Sequence, residues 1–365
     1  MPTPLSAPDS ISPAFADTKQ ILFRPFRIGV WSRLAVVGLL TGEFAGGGWG
    51  GSSNINMPSS GGGRRFSGLW AYAEPGWPQM EKYLPWILLG GGIALLFGLL
   101  WLYAASVGRF ILFDAVLRRR CKLREGWRRW RGPGLHYFFW EFGFSFASVI
   151  VLAAIVGVPV LLAWRAGWFH NPDAHFVALL LGGIALFLVA AAIFLASVVV
   201  SLFAKDFLVP VMALEHLGVW EGWRRLLPML GAEKPAYAGY VLMKVVLAVG
   251  SAILFGILDF FAILFLLIPL GLLGVAAYFV AKAAALSWNA GTISAVVVLG
   301  AAGIGGIFWL ISFLYAPGLV FFQSYTLQFF ASRYPLLHAA LHPAPPPPEV
   351  PPSDAAPPAE PLPAT

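Results

Sequence analysis

The chain is 365 residues long, 59% hydrophobic and 11% charged, where a soluble domain is roughly half apolar and a quarter charged. Those proportions exclude an ordinary soluble domain and describe a membrane protein. The net charge of +7 does not point to nucleic acid, because no soluble domain remains to carry a binding surface and the basic residues follow from topology.

Residues 1–20 form a polar lead rich in Pro and Ser. Apolar sequence begins only near Leu34, after Arg24, Arg27 and Arg33. That is not the pattern of a cleaved signal peptide, so the first span is expected to act as its own uncleaved signal. This span, residues 33–44, is short against the roughly twenty apolar residues a crossing needs. It contains Glu43 and runs into a Gly/Ser-rich outer loop at 46–63, flexible by composition. Clear spans follow at 84–107, 138–164 and 176–204. The basic segment 118–131 separates the first two and holds the lone cysteine, Cys121, which forms no intrachain disulfide and reads as an incidental thiol.

Residues 239–281 stay apolar apart from Lys244, Asp259 and Pro269. The run is too long for one straight crossing and reads as a tilted, kinked helix or as two spans. A last span covers 293–314, after which Ala316-Pro317-Gly318 is expected to break the helix before an aromatic stretch at 320–330. Beyond His342 the proline-rich tail, 343–365, reads as disordered. The expected fold is therefore an all-α polytopic transmembrane bundle of about six spans, with seven left open.

Two segments read almost alike: Glu125-Gly126-Trp127-Arg128-Arg129 and Glu221-Gly222-Trp223-Arg224-Arg225. Phe110-Ile111-Leu112 leads into the first and Phe207-Leu208-Val209 into the second, and Ile28-Gly29-Val30-Trp31 echoes Leu217-Gly218-Val219-Trp220. Internal duplication explains all three, as units at about 21–117, 118–214 and 215–330 within a transmembrane domain at 21–335. Each unit reads as an amphipathic elbow, an outward span and a returning span. Parallel copies of this kind would pack around small-residue faces such as Gly90-Gly91-Gly92 and Gly182-Gly183. Nine Lys and Arg fall within 109–131 and four within 205–234, but only one within 165–175. Both elbows, the N-terminus and the C-terminal tail are therefore expected in the cytoplasm.

The repeated motif has two readings. Trp127 and Trp223 suit headgroup depth, and Arg128, Arg129, Arg224 and Arg225 suit anionic lipid phosphates on the inner leaflet or a cytoplasmic protein partner. The plainer reading is an elbow that joins two spans and keeps its charge inside. Glu125 with Arg129, and Glu221 with Arg225, stand at helical i,i+4 spacing, an arrangement worth only about 0.3–0.5 kcal/mol when exposed. The first copy is the richer in charge, with Arg118, Arg119, Arg120, Lys122 and Arg124 beside it.

Ionisable residues inside spans are functional candidates in a bilayer. Glu43, Glu141, Lys244 and Asp259 qualify, although Glu141 and Lys244 lie near the cytoplasmic ends of their spans and Asp259 fits an outer boundary. Catalytic signals are poor. His338 and His342 share a helical face without a third ligand, and neither a nucleophile elbow, a phosphate loop nor paired cysteines occur. No catalytic residue, metal or cofactor is expected.

Segments 110–130 and 207–226, with the opening Leu22-Phe23-Arg24-Pro25-Phe26, resemble a bacterial multi-pass inner-membrane family of unknown function. They are also similar to the membrane domain ahead of some glycerophosphodiester phosphodiesterases. The resemblance implies a six-span protein of the inner membrane. It carries no activity over, because this chain has no room for a catalytic domain. The leading functional expectation is a non-catalytic scaffold or lipid-associated protein, the alternative a transporter or channel between the hairpins, and an intramembrane enzyme a distant third.

Overall fold

The structure, a computed structural model, describes residues 4–24, 26–42, 77–170, 172–283 and 290–343. The Gly/Ser-rich loop, Glu43 and all but the first residue of the tail lie outside these. Helices α1 (Ile11–Phe23) and α2 (Ile28–Thr41) precede two long ones, α3 (Trp77–Leu117) and α4 (Leu123–Arg165). Helix α5 (Phe176–Phe203) passes through a π turn (Ala204–Leu208) into α6 (Val209–Glu215), followed by α7 (Val219–Ala232). Helices α8 (Lys234–Ala283), α9 (Ala290–Ala331) and α10 (Pro335–Leu341) complete the chain. No strand occurs among the described residues.

Five helices are long and apolar enough to cross a membrane. Each clear span sits inside a longer helix, and the ambiguous 239–281 run is part of one continuous helix of 50 residues, about 75 Å at 1.5 Å per residue. A hydrocarbon core is only ~30 Å thick. The expected span at 33–44 differs: its described part lies in α2, which has 14 residues, about 21 Å. Five helices of crossing length thus stand where six spans were expected among the described residues.

Proline does not end these helices. Pro317 lies within α9, so the expected break at Ala316-Pro317-Gly318 does not occur. A freed carbonyl and a ring clash are tolerated where neighbouring helices support the backbone. Gly318 supplies that support, because a Cβ there would stand 2.8 Å from the Phe255 ring of α8. Pro210 is accommodated differently. It has no N–H for the carbonyl of Asp206, and the chain widens into the π turn, where Val209 N–H bonds back to Ala204.

Packing is concentrated at one end of the long helices. The single core cluster combines α1 and α2 with residues 107–116 of α3, 130–137 of α4, 204–213 around the π turn, 237–240 of α8 and 316–331 of α9. Helix α3 packs most extensively on α4, α9 carries α1 and α2, and α2 also runs along α3. Away from this head the helices expose their side chains: Leu88, Leu95 and Phe97 on α3, Phe146 and Leu162 on α4, Phe187 on α5, Phe265 and Leu272 on α8, Val298 and Leu299 on α9. Apolar faces of that size, on helices of that length, are compatible with a hydrocarbon surround.

Charge marks the boundary between the two regions. Residues 84–108, 142–164 and 174–204 carry no Asp, Glu, Lys or Arg, and the first charges on the head side are Arg109, Glu141, Lys205 and Asp206. Twenty-three positions separate Trp86 from Arg109, and as many separate Glu141 from Trp164, about 35 Å of helix in each case. Trp86 and Trp164 are both exposed, as tryptophans at a membrane interface are.

Candidate functional site

The two copies of the repeated motif share a local geometry. Each is preceded by a turn through a left-handed residue, Arg119 before the first and His216 before the second, both at φ 55°. The glycine of each then packs on the preceding helix, Gly126 with its notional Cβ 3.1 Å from Ile111 Cγ1 and Gly222 with its own 2.7 Å from Leu208 Cδ1. Absence of a side chain is what lets these backbones approach. The copies differ in setting, since the first forms the opening turns of α4 and the second sits in the separate helix α7.

Trp127 and Trp223 are half-buried and face inward: Trp127 meets Tyr103 edge-on at 5.8 Å, and Trp223 meets Trp140 at 5.7 Å. Adjacent to glycines seated on another helix, they share that buried flank. The outward tryptophan is Trp220, 75% exposed. Its echo, Trp31, is buried against Phe313 and donates its indole N–H to Leu22 O, so the two positions have unlike surroundings. Arg128, Arg129, Arg224 and Arg225 are all exposed. Neither expected i,i+4 pair forms. Glu125 binds Lys122 at 2.8 Å, Glu221 accepts the Gly218 N–H at 3.3 Å, and Arg225 reaches Glu215 at 3.4 Å. Arg128 and Arg224 are left exposed, and Arg129, exposed as well, lies over the Trp130 ring at 5.1 Å.

Beneath the elbows, at the inner limit of the charge-free lengths, lie two buried ion pairs. Arg109 on α3 contacts Glu141 on α4 at 2.6 Å and donates to the Tyr137 hydroxyl at 3.1 Å. Asp206 in the π turn contacts Lys244 on α8 at 2.5 Å and accepts from the Tyr240 hydroxyl at 2.9 Å. In each set the tyrosine stands four residues before the charged partner. Each cation also lies over its own tyrosine ring, Arg109 at 5.5 Å and Lys244 at 5.7 Å from the centroid. Phe110 packs on Tyr137 and Phe207 on Tyr240, so the residue after the first charge has the same task twice. The signs are exchanged: cation then acid in the first set, acid then cation in the second. A tyrosine hydroxyl accepts as readily as it donates, which suits it to either sign.

Such pairs are costly to break. A lone charge at these depths is strongly disfavoured, whereas a paired and hydrogen-bonded one is held in place. Asp259 is separate, fifteen positions beyond Lys244 on α8, where it accepts from the Tyr315 hydroxyl of α9 at 2.5 Å. It therefore joins two apolar helices within their exposed lengths. Glu141, Lys244 and Asp259 do not converge on one place.

Further polar contacts close the head. Asp17 of α1 meets Arg119 at 3.3 Å and Gln328 of α9 at 2.5 Å, and Arg333 meets Glu233 at 2.8 Å and Leu5 O at 3.0 Å. Cys121 is buried, its carbonyl held by Arg33 at 3.0 Å. Burial pushes its thiol up to about 11, with the Arg33 charge drawing it partly back. His338 and His342 stack at 4.9 Å on the edge of α10, and among the described residues no group of three His, Cys, Asp or Glu is placed to hold a metal.

With this geometry in hand, comparison with known proteins gives one decisive result: residues 5–340 match a family of unknown function (DUF7544). The chain belongs to that family. No curated protein and no solved structure matches it. The family match runs through both elbows, both ion pairs and all five long helices. It carries no link to the membrane domains that precede some glycerophosphodiester phosphodiesterases.

Sequence reasoning found Glu141 and Lys244 but missed their partners, Arg109 and Asp206, and both tyrosines. A usable signal was present, since Tyr137 and Glu141, like Tyr240 and Lys244, repeat a four-residue spacing. It was obscured by the exchange of sign and by the longer stretch between elbow and tyrosine in the second copy.

Proposed function

We propose that this protein is a non-catalytic integral membrane protein of the inner membrane, a scaffold whose elbows contact anionic lipid headgroups. One observation carries the reading: Arg128, Arg129 and Arg224 are exposed on elbows whose glycines pack against Ile111 and Leu208, each two positions from a charge of the buried Arg109–Glu141 and Asp206–Lys244 pairs. Guanidinium groups in that position suit phosphate oxygens. The head faces the cytoplasm on this reading, as the Lys and Arg counts favour. The packing of α1 and α10 at the same end of α9 supports placing both described termini on that side.

The paired elbows and ion pairs support an internal duplication in which one buried pair was inherited twice and its charges exchanged. The correspondence runs from Arg109 and Asp206, through Phe110 and Phe207, Arg119 and His216, Gly126 and Gly222, to Tyr137 with Glu141 and Tyr240 with Lys244. On this account the pairs are fasteners between helices. A transport role would need mid-depth carboxylates facing a shared path, and Glu141, Lys244 and Asp259 do not converge on one.

The test is flotation with liposomes of a detergent-solubilised, reconstituting preparation in which Arg128, Arg129, Arg224 and Arg225 are changed to Gln. The wild type should enrich phosphatidylglycerol around itself over phosphatidylcholine, and the variant should lose most of that enrichment. An unchanged lipid preference would remove the headgroup role.

A further inference from the structure

A cleft of about 730 Å³ lies between α4 and the start of α7. Its walls include His136, Trp140, Gly143 and Phe144 from α4 and Trp220 and Glu221 from α7. The volume is in the range of small-molecule sites, but the cleft is open along one side and apolar over most of its surface. Gly143 borders open space in the groove, since a Cβ there would meet nothing within 4 Å.

Three features identify what fills it. First, the α4 wall passes Glu141 and reaches Ala147, inside the charge-free length 142–164, so the groove opens toward the face that a bilayer covers on the membrane-spanning reading. Second, Trp220 is 75% exposed at the other wall, a placement that is costly in water and ordinary at a headgroup boundary. Third, the lining has two ionisable side chains, His136 on the α4 wall and Glu221 on the α7 wall, which present a donor and an acid within one site. A molecule matching all three is amphipathic, with a long apolar part along Phe144 and Gly143 and a headgroup carrying both charge signs.

We propose that this cleft is a binding site for one phospholipid with a zwitterionic, ammonium-bearing headgroup, its acyl chain lying along α4 and its headgroup between His136 and Glu221. The proposal rests on the membrane-spanning reading above but not on the arginines, which would engage different, anionic lipids. Water alone does not suit the site, because its walls offer few hydrogen-bonding groups over a large apolar area.

The experiment uses the full-length protein in nanodiscs containing a phosphatidylethanolamine or a phosphatidylglycerol that bears a photoreactive diazirine in its acyl chain. Cross-links are mapped by peptide mass spectrometry. Peptides holding residues 136–147 and 218–221 should be labelled together, at least fivefold above the exposed faces of α5 and α8, and more by the ethanolamine probe. Changing Gly143 and Ala147 to Leu fills the groove without a clash at Gly143, and should lower that labelling about tenfold while leaving the thermal unfolding midpoint in place. Should that variant unfold, Trp220→Ala serves, with labelling at the cleft again falling. Even labelling along all apolar faces, or cleft labelling unchanged in both variants, would overturn the site. Preference for the glycerol probe would overturn the assigned headgroup. The four-arginine variant should keep its cleft labelling, so failure of the arginine reading and failure of the cleft are distinguishable.

Discussion

Replacing Lys244 by Met removes a charge from the most buried ion pair while keeping the length of the side chain. Lys244 is 3% and Asp206 5% exposed, so the Asp206 carboxylate would be left with the Tyr240 hydroxyl at 2.9 Å as its remaining strong partner in that set. Breaking a buried pair by removing one member costs about 3–5 kcal/mol. Removing both, as Asp206→Asn with Lys244→Met, leaves no buried charge, and the asparagine oxygen still accepts from Tyr240. The double variant should recover to within about 1–2 kcal/mol of the wild type, because buried pairs are close to neutral against an apolar replacement. Equilibrium unfolding in mixed micelles at pH 7.5, on the wild type, both single variants and the double, yields the coupling energy directly. A single variant costing less than about 1 kcal/mol, or a double variant costing the sum of the singles, would refute the argument that each charge depends on its partner.

Three other outcomes are expected. Giving the first set the charge order of the second, by Arg109→Asp with Glu141→Lys, should preserve folding where either change alone is destabilising by about 3 kcal/mol or more; a double variant no better than the singles would count against a common origin of the pairs. Gly134→Ala should cost about 1–3 kcal/mol, because its Cβ would stand 2.7 Å from Val107 Cγ2 and 3.1 Å from Val107 Cα. Gly143→Ala, with open space around it, should cost nothing measurable in the same unfolding assay, and equal effects at the two sites would contradict packing concentrated in the head. Cys121 should resist iodoacetamide at pH 8 in the folded protein and react on unfolding. Burial raises its thiol from 9.0 to about 11, so the folded state holds the proton more tightly than the unfolded. The associated stability is complete below pH 9 and is lost as pH climbs from 9 to 11. Rapid labelling at pH 8 without unfolding would place the thiol on the surface.

The helical class and the long apolar segments were legible in the sequence because twenty-residue hydrophobic runs have few other readings. Helix ends were not. Hydropathy falls at Arg109 and Glu141, yet α3 and α4 carry on well past them, since in the head amphipathic packing replaces uniform hydrophobicity. The expected break at Pro317 failed for a tertiary reason, the Phe255 ring seated on Gly318, and periodicity gives no access to that. The motif is plain in the sequence, but which flank each tryptophan covers is not: Trp127 packs on Tyr103 and Trp223 on Trp140, and beside the second copy it is Trp220 that stands exposed. The partners of Glu141 and Lys244 lie 32 and 38 positions earlier in the chain, and only the folded arrangement brings them together.

The central claim is that the elbow arginines hold anionic lipid while the helices serve as a scaffold. Native mass spectrometry of the protein released from bilayers of equal phosphatidylglycerol and phosphatidylethanolamine tests it most directly. The account predicts that the wild type retains phosphatidylglycerol in excess of the bilayer ratio and that the variant with Arg128, Arg129, Arg224 and Arg225 changed to Gln retains several-fold less. Equal retention of phosphatidylglycerol by the two proteins would contradict it.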